Sequence, residues 1–97
     1  MVSAKTRIER APVEADWAAR GYSCKLWVDP PGTTWADFVH DDDELVMLLD
    51  GEMLLELGSR MVQLSPGEEV TVPAGTRHTL RNIGSTVARW LYGHRRS

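Results

Sequence analysis

Apolar and polar residues alternate in short runs along most of the chain, and the runs are separated by glycine, proline or small polar residues. Period-two runs of this length, rich in Val, Leu, Thr and aromatic residues, predict β-strands. They fall at 22–28, with Cys24, Leu26 and Val28 on one face, and at 34–40, 44–50, 52–57, 60–64, 69–72, 78–82 and 87–92. Asp29-Pro30-Pro31-Gly32, Gly58-Ser59, Ser65-Pro66-Gly67 and Ile83-Gly84-Ser85-Thr86 supply the breaks and turns, with Gly58-Ser59 suited to a two-residue hairpin loop. Only 12–20 reads as a helix: Pro12 opens it, Glu14 and Asp16 come early, Arg20 late, and Gly21 stops it. Many short strands with one short N-terminal helix predict an all-β fold, a sandwich or barrel.

One segment departs from alternation. Leu45-Val46-Met47-Leu48-Leu49 is apolar on both faces. Periodicity alone does not separate strand from helix over such a run, but its length and its flanks, Glu44 and Asp50-Gly51, favour a strand covered on both sides. Its second cover is either another layer of the same chain or a second subunit, which would make a homodimer.

Composition narrows the partners. The chain has 97 residues, 42% hydrophobic and 26% charged, enough for one domain spanning 1–97. No apolar run approaches the roughly 20 residues that cross a bilayer, so no membrane partner is expected. A net charge of -3 speaks against nucleic-acid binding. Arg95 and Arg96 read as a solubilising end. The first twenty residues lack the apolar stretch of a secretory signal, and a lone Cys24, read as buried and inert, points to a reducing compartment, so the expected location is cytoplasmic.

Two constellations carry possible chemistry. Gly67, Pro73, Gly75, His78 and Asn82 form the pattern G-x5-P-x-G-x2-H-x3-N, in which a strand stops at Pro73, turns at Gly75 and returns with His78 and Leu80 on one face. Upstream, Gly32, Phe38, His40, Glu44 and Gly51 span 32–51. Within the acidic run, Asp42 and Glu44 fall on the alternating face of His40, where a carboxylate can bind a cation. From residue types alone, His40, Glu44 and His78 fit a hydrogen-bonded core as well as a metal site.

The two patterns resemble the paired motifs of the cupin family, G-x5-H-x-H-x3-4-E-x6-G and G-x5-P-x-G-x2-H-x3-N. The second is met at every fixed position over 67–82; the first is met at all but one, Phe38, where the family places its first histidine. The resemblance implies a small single-domain cupin, all-β, a single antiparallel β-barrel or jelly roll with a short N-terminal helix, in which His40, Glu44 and His78 hold a divalent ion such as iron, manganese, nickel or zinc. It also implies a homodimer and a small-molecule ligand in the barrel. Two imidazoles and a carboxylate leave coordination positions open, which suits a dioxygenase- or isomerase-like enzyme. The alternatives are a binding module without chemistry and a metal-free barrel, because the fold alone fixes no activity. Phe38 takes the missing ligand's place as an apolar pocket wall, with Trp90 and Tyr92 as further pocket residues or core aromatics. His94 shares their face if the last strand persists and is otherwise a frayed end. Asn82 reads as a strand-end hydrogen-bonding residue.

Overall fold

A computed structural model describes residues 8–95. Helix α1 (Arg10–Ala19) precedes strands β1 (Lys25–Asp29), β2 (Thr34–Phe38), β3 (Glu44–Asp50), β4 (Met53–Leu57), β5 (Arg60–Leu64), β6 (Glu69–Val72), β7 (His78–Asn82) and β8 (Ala88–His94). The strands form two four-stranded antiparallel sheets, ordered β1-β8-β3-β6 and β2-β7-β4-β5. This is the jelly roll expected from the sequence. Arg96 lies outside the described residues.

The barrel interior follows the alternation. Val46 and Leu48 of β3 meet Met53, Leu55, Leu80 and Trp90 inside. Full burial of each such aliphatic side chain stabilises the fold by roughly 1.5–3 kcal/mol. The opposite face of β3, Leu45, Met47 and Leu49, packs against Trp17 of α1 and Leu91, with Ile8 and Val13 alongside. The chain's own helix therefore covers the strand that is apolar on both faces. Cys24 is buried in this outer cluster, and burial pushes its thiol pKa up, as an inert cysteine requires.

Element ends differ from the expectation where backbone geometry is not written in the pattern. Helix α1 starts two residues earlier than Pro12, which is tolerated because the first turn lacks intrahelical N–H partners anyway. Gly21 follows in the left-handed region at φ +89°. Strand β1 begins at Lys25 rather than Tyr22, which makes only an isolated bridge to Arg95. Of the face predicted at Cys24, Leu26 and Val28, Val28 is exposed, whereas Asp29 is 3% exposed. Strand β2 ends at Phe38, not His40. Asp37 takes φ +59° and the register shifts between Trp35 and Phe38, a bulge that ends regular pairing, so His40 leaves from a loop.

Candidate metal centre

Four side chains meet at one end of the barrel, each brought by a different segment. Glu44 opens β3 and pairs with His94 at the end of β8. His78 opens β7, and its register partner Phe38 closes β2. His40 sits in the following loop, held because its carbonyl accepts a hydrogen bond from Gly75 N at 2.8 Å. The turn of the second motif thus pins the histidine of the first.

Glu44 is the hub. Its side chain is 7% exposed, and His78 Nε2 and His40 Nε2 lie 3.1 Å and 3.6 Å from Oε1. His94 Nε2 approaches Oε2 at 4.0 Å. Ligand atoms of His40, Glu44 and His94 all lie within 4.8 Å of one another. The structure therefore brings His40 and Glu44 together with His94, while His78 lies against the same carboxylate just outside that group.

The tautomers decide what the cluster can hold. His78 Nδ1 lies 3.1 Å from the Thr76 carbonyl, which only accepts, so the ring proton is assigned to Nδ1. The neutral ring then turns a bare Nε2 lone pair toward Glu44, whose buried Oε1 has no hydrogen-bond partner. His94 repeats the pattern, with Nδ1 3.2 Å from Asp42 Oδ1 and Nε2 inward. Lone pairs facing a buried carboxylate need an electrophile between them, either a proton or a metal ion. In the metal-free chain the proton serves: Glu44, by accepting from Nε2, holds the His78 imidazolium above its ordinary pKa against the opposing effect of burial. The donor set equally fits a divalent ion of the borderline class, which prefers imidazole and carboxylate.

Beside the cluster opens a cavity of about 230 Å³ lined by Phe38, Val46, Leu55, Leu80, Trp90 and Tyr92 among others. Phe38 stacks on His40 with 11° between the rings and 5.9 Å between centroids. The acidic loop divides its work. Asp43 Oδ1 accepts from Ala74 N at 2.8 Å and so fixes the second-motif turn, whereas Asp42 orients His94.

Two residues were not assigned to the site from the sequence. His94 is no frayed end: its carbonyl accepts from Ser23 N at 3.0 Å and its own N–H donates to Ser23 Oγ at 3.0 Å. The period-two series Trp90, Tyr92, His94 carried that signal. Asp29, read as part of a chain break, has a buried carboxylate that accepts from the indole N–H groups of both Trp35 and Trp90 at 2.9 Å. Asn82 behaves as expected: its amide donates to the carbonyls of Asp29 and Thr86, and its oxygen accepts from Gly84 N.

A family profile described as a cupin domain matches residues 25–93. Among solved structures, a protein from Thermus thermophilus is 22% identical with a TM-score of 0.68, covering 95% of this chain and 100% of its own. An oxalate oxidase in complex with the substrate analogue glycolate is 23% identical with a TM-score of 0.72, covering 79% of this chain and 43% of its own. An RmlC-like cupin from Methanocaldococcus jannaschii with a double-stranded β-helix fold is 20% identical with a TM-score of 0.70, covering 77% of this chain and 70% of its own. At these identities the likeness is one of fold. A protein from Streptococcus pyogenes, a cupin domain from Schizosaccharomyces pombe and the oxalate oxidase are longer, and the chain spans 66%, 54% and 43% of them. A search of curated proteins finds no match.

Proposed function

The chain belongs to the cupin family, and we propose that it holds a divalent metal ion, of the iron, manganese, nickel or zinc class, at the Glu44 end of the barrel and uses it to bind a small molecule in the adjoining cavity. His40, Glu44 and His78 are the motif ligands. His94 supplies the imidazole that Phe38 removes from the first motif, arriving from β8 instead of β2. The observation that carries the reading is Glu44 Oε1, buried and left without a hydrogen-bond partner while the imidazoles that face it are neutral, with their protons committed elsewhere.

Each residue has a distinct task. Asp42 and the Thr76 carbonyl fix the tautomers of His94 and His78, and Phe38 stacks on His40 as apolar wall of the cavity. A metal bound there acts as a Lewis acid toward an oxygen-bearing ligand. That is the chemistry a dioxygenase- or isomerase-like enzyme of this family would use, and the cavity beside the cluster supports substrate-sized access. A cytoplasmic location accords with this reading and with a buried, unpaired Cys24. No helix of the described residues is long and apolar enough to cross a membrane.

Metal analysis of protein purified without an affinity tag tests the centre. One equivalent per chain after reconstitution is expected. Less than about a tenth of an equivalent, unchanged after reconstitution, removes it.

A further inference from the structure

We propose that the cavity takes an organic cation, a molecule carrying a quaternary ammonium group, and holds that group against its tryptophan wall and not at the metal. The inference concerns the part of the cavity beyond the ionisable cluster and does not rest on the ion. Trp90 lies four residues along β8 from His94, roughly 13 Å at the rise of an extended strand. Strand β1 brings Trp27 beside it as register partner. Trp27, Trp35, Trp90 and Tyr92 all line the cavity. Trp27 meets Trp35 at 5.6 Å between centroids and 77° between planes, and meets Tyr92 at 6.2 Å and 69°, while Trp90 and Tyr92 lie 5.4 Å apart at 43°. Rings inclined in this way wrap a space instead of stacking into a slab, and the negative faces of indole and phenol rings attract a cation.

Behind the rings the charge has one sign. Trp35 and Trp90 donate their indole N–H groups to the same oxygen of Asp29, each at 2.9 Å, and Asp29 is 3% exposed. Among the described residues no lysine or arginine pairs with that carboxylate. Its charge polarises both indoles through their N–H bonds, which strengthens the pull of the ring faces on a cation. No described lysine or arginine lines the cavity, and Lys25, on the alternating face of Trp27, is exposed and outside the wall. A quaternary head suits this wall better than a primary ammonium does. Outside the Glu44 cluster the only side-chain acceptor among the described lining residues is the Tyr92 oxygen, so N–H donors would lose their water and find almost no partners. A fully methylated nitrogen has no N–H to satisfy.

The test uses the full chain in EDTA and compares, by calorimetry, choline with 3,3-dimethylbutan-1-ol, which keeps the shape but puts carbon in place of the charged nitrogen. Choline is expected to bind about tenfold more tightly. Trp27→Leu should erase that preference, and Trp27→Phe, which keeps a ring face, should retain most of it. Trp27 is 39% exposed, so both variants are expected to stay folded, which urea midpoints check. Equal affinity for the two probes, or no binding of choline, overturns the proposal. So does a folded Trp27→Leu chain that keeps the preference, or a Trp27→Phe chain that loses it as fully as the leucine variant, because the ring face is then not what reads the charge. Zinc plays no part in the readout, and the metal centre stands or falls separately.

Discussion

At the scale of single residues, the proposed exchange is between Phe38 and His94. The ligand position that Phe38 vacates on β2 would be met from β8, because β8 runs beside β3 and pairs Glu44 directly with His94. That substitution was not legible from the motif, which runs only over 32–82, and the residue types left His94 open between a site and a frayed end. The motif histidine and glutamate positions, by contrast, were readable from spacing, since Pro73 and Gly75 force the turn that returns His78. The exchange makes a double-variant prediction. His94→Ala is expected to weaken zinc affinity by about 10- to 100-fold, in the range lost when a metal site's support is removed. Adding Phe38→His to that variant should recover most of the loss, read by competition against a chromogenic chelator. Recovery fails if the two positions do not address the same ion. His78→Ala should abolish metal retention in either background.

At the scale of elements, the strands were legible because each is bounded by turn residues, and the two-residue loop at Gly58-Ser59 joins β4 and β5 as read. What periodicity could not show is which layer covers β3. A second subunit and α1 satisfy the same apolar face equally in sequence, and the structure has Trp17 of α1 there, with no exposure at all. The bulge in β2 was also hidden, because nothing in the identity of an aspartate announces φ +59°. Close approach governs the other end of the site. A Cβ on Gly93 would overlap Ser23 O and lie 2.9 Å from the Trp17 ring. Gly93→Ala is therefore expected to destabilise the chain by about 3 kcal/mol, the upper range of overpacking, and to loosen His94 next to it. Urea unfolding measures the first effect and zinc affinity the second. A midpoint unchanged from the parent would mean that the contact between β8 and the α1–β1 connection is not made.

At the scale of the whole molecule, stability should depend on pH in opposite ways with and without metal. In the metal-free chain His78 has a raised pKa, chiefly through Glu44, so the folded state binds that proton more tightly than the unfolded state does. Its contribution is fully present below the unfolded imidazole value of about 6.5 and is lost as pH rises through the higher folded value. The acid limit is set elsewhere. Arg20 donates to both oxygens of Glu69 at 2.8 Å and holds that carboxyl below its usual range, so this contribution is present above about 4.3 and lost as pH falls through the folded value. Metal-free protein should thus be most stable on the acid side of neutrality. Zinc held by His78 and Glu44 would displace that proton, and its affinity would grow as the imidazoles deprotonate. The thermal midpoint in EDTA should therefore fall as pH rises above about 6.5, while the midpoint in excess zinc rises over the same interval. Parallel curves would show that proton and metal do not compete for one carboxylate, and the centre would have to be sought away from Glu44.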